Sequence, residues 1–428
     1  MAEPIYFLNL EIENYRCFRE RQVLDLSDGK GNWKKWTVIL GDNGTGKSSL
    51  LQLFASAEME GDKLDGRPEY SPKGIPYEEK LPWVYDSVGE CMIALNIYRY
   101  FEGNPEHIIV GQIFHGNAPA GVKIHSEDLS DLKCFGYGAN RKMGESKLSK
   151  LLSNNSETLF FEDAKLVNAE EWLLQLDYAA SKDSDIKGFA INKRDQVEQI
   201  LLDLLPDIKA IRFTEPTRKS LKSTVEFETP FGWVAIHQLS LGYKTMVAWM
   251  VDLAARMFER YPDSDNPLAE PAIVLVDEID LHLHPKWQRK IFDYLSDKFP
   301  QTQFIVTAHS PLVVQSAPKD ANIVLLRKEG DHVVIDNEHS SVQNWRLDQI
   351  LTSDLFGLES ARGNDAAEKL VERKSLLAKK NLSDEEKSRL EALNDFANNL
   401  PTAYDHEDIE AMSIVREAAA EYRKNQKK

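Results

Sequence analysis

The sequence predicts an α/β fold with a mostly parallel sheet covered by helices on both faces. Three observations predict this fold. The apolar run at residues 36–40 leads through a glycine-rich loop into helical spacing at residues 47–54. A second apolar run, residues 272–276, ends in two carboxylates. From residue 233 onward, strand-like and helical segments alternate, which is typical of parallel sheets because their strands need crossover helices.

The first part of this sheet domain is predicted at residues 1–54. Alternating polarity at residues 6–12 predicts a strand followed by a turn, and residues 22–26 predict a second strand. The order strand, glycine loop, helix then follows and places the loop at the carboxyl end of a strand.

Residues 55–232 interrupt this pattern and are predicted to form an inserted α+β subdomain. Its elements are expected at strand-like residues 92–98 and 108–114 and at helical residues 169–179 and 195–205. No heptad repeat is sustained there, so a long coiled-coil arm is not expected.

Residues 233–360 are predicted to complete the sheet domain. The expected elements are a helix at 240–258, a strand at 272–276, a helix at 285–298, and strands at 303–306 and 322–327. Residues 361–428 predict a charged helical C-terminal extension. Ser383 and Glu386 have the spacing of a capping box, and a final helix is expected near residues 407–424.

Charge and composition narrow the class of protein. The 428 residues carry 52 basic and 69 acidic side chains, a net charge of −17, which argues against a protein that coats nucleic acid by itself. A local basic groove is still open. No apolar run approaches the roughly 18 residues of a membrane span, so a cytoplasmic location is expected. The three widely separated cysteines predict neither a disulfide framework nor a Cys-type zinc site.

The glycine-rich loop fits the phosphate-binding pattern G-x-x-x-x-G-K-S/T between a predicted strand and a predicted helix. Backbone N–H groups at the helix N-terminus attract phosphate, and the lysine would reach the β- and γ-phosphates. The serine hydroxyl would ligate Mg²⁺. The candidate nucleotide-binding residues of this P-loop are Gly41, Asp42, Asn43, Gly44, Thr45, Gly46, Lys47, Ser48 and Ser49.

The carboxylates at Asp277 and Glu278 end a buried-strand run, the form of a Walker B element at the sheet edge where ligands bind. Asp277, together with Ser48, is the candidate Mg²⁺ ligand and would act through water. Glu278 would polarise the attacking water as general base. Taken alone, an acidic pair at a strand end is equally typical of a solvated turn.

Leu239, Ser240 and Gly242 precede a helix upstream of the Walker B element, and they resemble the signature motif of ABC-type ATPases in its RecF/SMC-like form. A serine and a glycine at a helix N-terminus make an anion site that can engage the γ-phosphate of ATP held by another subunit. The simpler alternative is that Ser240 only caps the helix.

Residues 307–311 resemble the switch-histidine loop, with His309 able to contact the γ-phosphate and the attacking water. Asp280 occupies the D-loop position, where it could communicate across a dimer. His282 and His284 lack a third ligand nearby and are interpreted as loop packing and helix entry rather than a metal site.

These four motifs, in this order, resemble the ABC-type ATPase heads of the RecF/SMC/OLD-like group over residues 6–54 and 231–357. The resemblance implies ATP and Mg²⁺ as cofactors and a homodimer, or a higher homo-oligomer, that clamps ATP. It implies Lys47, Glu278 and His309 as the catalytic set. Arg16 matches an arginine that approaches nucleotide in such heads, although a surface position is equally open.

Residues 348–358 are similar to the segment that follows the head in RecF-like and OLD-like ATPases, and the whole chain resembles the PtuA family of Septu-type anti-phage systems. This implies an ATPase that controls a defence complex with a separate nuclease or other toxic effector of HNH or Toprim type. Nucleic acid would be reached through the complex, and no membrane is involved. The chain has no HNH or Toprim pattern of its own. Two alternatives are a RecF-like DNA repair ATPase and an ATP-binding scaffold that hydrolyses little and restrains a toxic partner.

Residues 135–141 contain two glycines of the kind that allow close backbone approach, and they could lie near the site. A Q-loop glutamine is not assigned.

Overall fold

The computed structural model describes residues 4–57, 59–64, 67–72, 90–101, 104–115, 118–123, 132–144, 155–205, 207–216, 218, 222–339, 342–379 and 382–400. Its strands in chain order are β1 Ile5–Glu13, β2 Gln22–Asp25, β3 Trp36–Gly41, β4 Met59–Leu64, β5 Arg67–Pro72, β6 Glu90–Phe101, β7 Asn104–His115, β8 Ala118–Lys123, β9 Cys134–Tyr137, β10 Ile211–Phe213, β11 Val225–Thr229, β12 Gly232–Ala235, β13 Ala272–Val276, β14 Thr302–Thr307, β15 Asn322–Glu329 and β16 His332–His339.

The α-helices of the described residues are α1 Lys47–Ala55, α2 Glu157–Phe160, α3 Ala169–Ser181, α4 Lys187–Leu204, α5 Leu241–Arg260, α6 Pro285–Gln288, α7 Ile291–Lys298, α8 Pro311–Ser316, α9 Leu347–Leu351, α10 Asn364–Ala378 and α11 Asp384–Asn398. Within the part of the chain that is described, no helix is long and apolar enough to cross a bilayer.

A six-stranded sheet in the order β16-β15-β3-β14-β13-β9 forms the centre of the fold. Only the edge strand β16 runs antiparallel, and the other neighbours pair in parallel. Thr307 pairs with Ile39, and Val306 pairs with Val276, so β3, β13 and β14 end at the same edge of the sheet. The predicted α/β fold with a mostly parallel sheet is confirmed, and the P-loop and the acidic pair follow β3 and β13, the two strands that flank β14.

Strands β6, β7, β8 and β9, which lie within residues 55–232, pair into sheets that also contain strands from outside that range. β9 joins the central sheet in parallel beside β13. β6, β7 and β8 extend the pair β1-β2 into a five-stranded antiparallel sheet. The chain divides into two compact units, Met1–Ile350 and Leu351–Lys428, so the described strands of the insertion belong to the first unit.

The core lies on both faces of the central sheet. Every residue of β13 and β14 is buried, as expected for strands covered on both sides. Burying one Val, Leu, Ile or Phe side chain stabilises the fold by about 1.5–3 kcal/mol. α5 is buried along most of its length, and its Trp249 is 0% exposed. The strand ends that present functional groups are therefore rigidly supported.

The predicted helix at residues 285–298 is wrong in its continuity, because the structure has two helices, α6 and α7. The Gln288 carbonyl accepts a hydrogen bond from Ser316 Oγ at 2.8 Å. The side-chain amide of Gln288 donates to the carbonyls of Asp280 (3.3 Å) and Leu283 (3.1 Å). Lys290 N–H then bonds only three residues back, so a turn replaces the helical ladder at this point.

In the second unit, α10 and α11 match the predicted charged helices. The capping box is confirmed, because Ser383 Oγ accepts from Glu386 N–H at 3.2 Å and the Glu386 carboxylate accepts from Ser383 N–H at 2.9 Å. The helix predicted near residues 407–424 lies outside the described residues.

Candidate functional site

The P-loop leaves the end of β3 and enters α1 through glycines in the left-handed region. Gly44 has φ 80°, and Gly46, the residue before α1, has φ 88°. A Cβ added at Gly46 would lie 2.9 Å from Cys17 Sγ, so both backbone and space require glycine here. The loop thereby presents the free N–H groups of the α1 N-terminus at the sheet edge.

Lys47 closes this loop. Its Nζ donates to the carbonyls of Gly41 (2.8 Å) and Asp42 (2.9 Å), and the residue is only 6% exposed. Burial lowers the pKa of the Lys47 ammonium, and the nearby carboxylates of Asp277 and Glu278 oppose that shift. The Lys47 ammonium is thus held by carbonyls of the same loop that would bind a phosphate.

Ser48 and Asp277 meet at the sheet edge. Ser48 Oγ donates to Asp277 Oδ2 at 2.6 Å, and Thr307 Oγ1 donates to Asp277 Oδ1 at 2.6 Å. A hydroxyl and a carboxylate from two different elements therefore converge. Mg²⁺ prefers hard oxygen ligands of this kind, so these residues fit the ion that the sequence predicts.

Glu278 follows in an uncommon backbone conformation, with φ 49°. Its N–H donates to Thr307 Oγ1 at 2.7 Å, and the residue is half-buried. A non-glycine residue in this region costs on the order of 1–3 kcal/mol and persists only when its surroundings enforce it. The chain therefore turns sharply between the Mg²⁺-type carboxylate and the candidate general base.

The D-loop position and the switch loop are joined by hydrogen bonds. The backbone N–H of His309 donates to both carboxylate oxygens of Asp280 at 3.2 Å. Ile279 N–H donates to the Thr307 carbonyl at 2.9 Å. His309 itself is exposed, so its imidazole is available at the surface that follows β14. His284 begins α6, where its Nδ1 accepts from Lys286 N–H at 3.3 Å.

The signature residues lie at the N-terminus of α5. Ser240 caps this helix, with Oγ accepting from Tyr243 N–H at 3.4 Å, and it is exposed. The hydroxyl therefore does cap the helix, and its exposure leaves the same end of α5 accessible. Leu239 is buried, whereas Leu241 is 60% exposed. A Cβ at Gly242 would lie 2.6 Å from the His282 carbonyl, so the signature packs directly on the loop after Walker B.

Arg16 lies beside the P-loop helix, where its guanidinium donates to Ser49 Oγ. Its backbone is also left-handed, with φ 50°, in the turn that follows β1. Arg16 therefore contacts Ser49, the second residue after Lys47. Asp42, Asn43 and Gly44 form the exposed crest of the loop.

Two residues of this site, Thr307 and Arg141, lie in segments that the sequence analysis named but were given no individual role there. Thr307 contacts both Asp277 and Glu278, and Arg141 donates to the backbone carbonyls of the same two residues at 2.6 and 2.9 Å. Thr307 could have been found because adjacent parallel strands end at one edge, which places its side chain beside Walker B. Arg141 had a weaker signal, a single arginine after the glycine pair of residues 135–141.

The parallel sheet, the P-loop, the paired carboxylates and the signature at a buried helix define an ABC-type ATPase head. Residues 142–315 match the family described as "AAA domain, putative AbiEii toxin, Type IV TA system", and residues 9–68 match a family described as "AAA domain".

Comparison with known proteins identifies the family. The Septu protein PtuA of Bacillus thuringiensis is 30% identical over 359 residues, which cover 80% of this chain and 84% of that protein. The chain belongs to the Septu PtuA family. The Septu protein PtuA of Bacillus mycoides (strain KBAB4) is 30% identical over 353 residues, which cover 82% of this chain and 44% of that protein. The chain thus spans less than half the length of this second relative.

Other similarities are more local or more distant. A protein of Vibrio cholerae serotype O1 biovar El Tor named "Retron Vc95 probable ATPase" is 47% identical over 87 residues, 20% of this chain and 17% of that protein. A solved SMC head bound to the C-winged helix domain of ScpA is 16% identical, with a TM-score of 0.47, and the match covers 77% of this chain and 97% of that chain.

Proposed function

We propose that this protein is an ATPase that dimerises around ATP and controls an anti-phage defence complex with a separate effector subunit. The observation that carries the proposal is the division of the site into two parts. Lys47, Ser48, Asp277 and Glu278 converge at one sheet edge, whereas Ser240 is exposed at the start of another helix. The second part would serve the ATP of a partner protomer.

The physical case for a shared nucleotide rests on α5. This helix has 20 residues, so its N-terminus carries the positive end of a helix dipole. Ser240 and Leu241 at that end are exposed, and Gly242 is partly exposed, so an anion could reach it from solvent. An anion held there would be the γ-phosphate bound by the P-loop of the other copy. The γ-phosphate then bridges two polypeptides, and its hydrolysis weakens the dimer.

The chain's own groups divide the chemistry of hydrolysis. Lys47 would bind the β- and γ-phosphates, with Arg16 near the same helix end. Glu278 would orient and deprotonate the attacking water, and His309 would assist at the γ-phosphate. Mg²⁺ held by Ser48 and Asp277 would supply charge neutralisation of the phosphates. Asp280 would link this centre to the partner, since it already binds the His309 backbone.

The defence role is supported by family membership and by the retron similarity. We assign any cutting of nucleic acid to a separate nuclease or other toxic effector of HNH or Toprim type, so that ATP state would control the effector. The net charge of −17 supports contact with nucleic acid through the complex rather than through this chain alone. We expect the complex to act in the cytoplasm.

The proposal is tested by two substitutions measured together. Lys47→Ala should abolish ATP binding in equilibrium titration, because the buried ammonium of the loop is removed. Glu278→Gln should keep binding but halt turnover, and it should shift the protein to an ATP-dependent dimer in light scattering. Glu338→Gln, at an exposed position on β16, is the matched control. Normal turnover by the Glu278→Gln protein would show that the assigned general base is wrong.

A further inference from the structure

Arg141 is a buried cation at the centre of the head. It follows β9, is 3% exposed, and its guanidinium donates to the carbonyls of Asp277 (2.6 Å), Glu278 (2.9 Å) and Gly138 (3.3 Å). The first two of these contacts are with the main chain of the Walker B turn. Arg141 therefore holds the backbone of the two acidic residues and leaves their carboxylates for other partners.

Placing a guanidinium here is unfavourable by itself. Burial lowers the pKa of Arg141 to about 10, and Asp277, Glu278 and Asp280 partly oppose the shift. Burying an ion in a protein is destabilising unless partners compensate the lost hydration. An apolar side chain of similar size would avoid that cost, so the benefit of arginine lies in what its N–H groups fix.

The N–H groups of Arg141 fix the two peptide groups on either side of Glu278. The Glu278 N–H is held by Thr307 Oγ1 at 2.7 Å, and its carbonyl is held by Arg141. These two contacts flank the left-handed φ of 49°. A planar fork can hold two neighbouring carbonyls at once, which a single ammonium does less well. Arg141 and Thr307 thus hold the peptide groups on both sides of the Glu278 side chain.

The face of the same guanidinium packs on α5. The Arg141 Cζ lies 5.4 Å from the centroid of the Trp249 ring, within the range of a cation–π contact. Trp249 is 0% exposed, and α5 begins at the signature residues Ser240 and Gly242. A displacement of α5 would therefore reach Glu278 through two buried contacts.

We propose that Arg141 is a positioning residue that sets the backbone of Glu278 and couples it to α5, so that hydrolysis responds to what the signature contacts. This inference rests on the proposed ATPase function and adds to it a route from the dimer surface to the general base. We expect a substitution of Arg141 to slow the chemical step and to leave ATP binding at the P-loop intact.

The test is Arg141→Lys, which keeps the charge but removes the planar fork and its stacking on Trp249. We expect kcat to fall at least tenfold while the KM for ATP and the equilibrium Kd of ATP stay within twofold. Trp249→Phe, which keeps a smaller aromatic face, should lower kcat two- to fivefold with the same unchanged KM. This second variant keeps the test decisive if the lysine protein does not fold.

The matched control is Arg256→Lys. Arg256 is 6% exposed on the same helix, and its Nε pairs with Asp252 at 2.6 Å instead of with the Walker B carbonyls. It should lower the unfolding temperature and leave kcat within twofold. Equal losses of kcat in the Arg141 and Arg256 variants would overturn the proposal, because they would reflect general packing damage.

The outcomes also separate this inference from the proposed function. If turnover is lost in Glu278→Gln but unchanged in Arg141→Lys and Trp249→Phe, the ATPase assignment stands and the positioning role is refuted. If the wild-type protein shows no turnover that depends on Glu278, the ATPase proposal itself fails, and the positioning role fails with it.

Discussion

Thr307→Val replaces one hydroxyl at the carboxyl end of β14 with a methyl group and keeps the branched shape of the side chain. Thr307 is 0% exposed, donates to Asp277 Oδ1 at 2.6 Å and accepts from Glu278 N–H at 2.7 Å. Losing a hydrogen bond to a charged group costs about 1.5–3 kcal/mol, and leaving a buried N–H unpaired costs about 1–3 kcal/mol. Because Glu278 is half-buried, we take the lower end of each range and expect a loss of about 2.5 kcal/mol.

This loss can be expressed as a shift in unfolding temperature. The first compact unit contains residues 1–350, and unfolding entropy is about 2.1 cal/mol/K per residue, which gives about 0.7 kcal/mol/K. A loss of about 2.5 kcal/mol then lowers the midpoint by about 3.5 °C. Turnover should fall about tenfold or more, since only about 1.4 kcal/mol of lost transition-state stabilisation produces that factor. Differential scanning calorimetry and steady-state ATPase kinetics measure the two effects.

The same strand supplies the control. Thr302 is also 0% exposed, but its Oγ1 has no hydrogen-bond partner among the described residues. Thr302→Val should therefore be neutral or slightly stabilising and should leave turnover unchanged. The reasoning is refuted if the midpoints of the two valine variants lie within about 1 °C of each other, because the expected difference is several times larger. It is also refuted if Thr307→Val retains full turnover.

Two further outcomes are expected. Gly242→Ala places a Cβ within 2.6 Å of the His282 carbonyl, so the signature must shift; ATP binding measured at the P-loop should persist, while ATP-dependent dimerisation in light scattering should be lost. Burial lowers the pKa of Lys47, so its ammonium loses its proton at a lower pH than an exposed lysine; ATP affinity should be full at neutral pH and weaken as the pH rises, more steeply than in Lys47→Arg. An affinity profile that is the same in both proteins would contradict this second expectation.

The sequence predicts which residues meet at the sheet edge because the signals there are local. A glycine loop between a strand and a helix fixes Lys47 and Ser48, and a strand that ends in carboxylates fixes Asp277. The common sheet edge then follows from parallel pairing. By contrast, the contacts of Arg141 join residues 136 and 137 positions apart, and no periodicity in either segment reports such a pairing.

The break between α6 and α7 shows a second limit. Residues 285–298 have helical spacing, but the hydrogen bonds of Gln288 with Asp280, Leu283 and Ser316 come from segments before and after it. Of these, the Ser316 hydroxyl occupies the Gln288 carbonyl, which a continuous helix would use in its own ladder. Helical spacing in a sequence reports which face is apolar, and it cannot report a carbonyl that is bound by another helix.

The arrangement of rigid and exposed groups bears on how such a head is controlled. Lys47, Asp277 and Thr307 are each less than a tenth exposed and bound to neighbours, so one half of the proposed centre is organised by the protomer alone. Ser240 is exposed, and its hydroxyl accepts a hydrogen bond from Tyr243 N–H of its own helix. If a second protomer must supply that group, most of the catalytic geometry is preset and assembly sets the rate. Turnover should then rise with the square of protein concentration well below the dimer dissociation constant, whereas a protomer that is complete by itself gives a linear dependence.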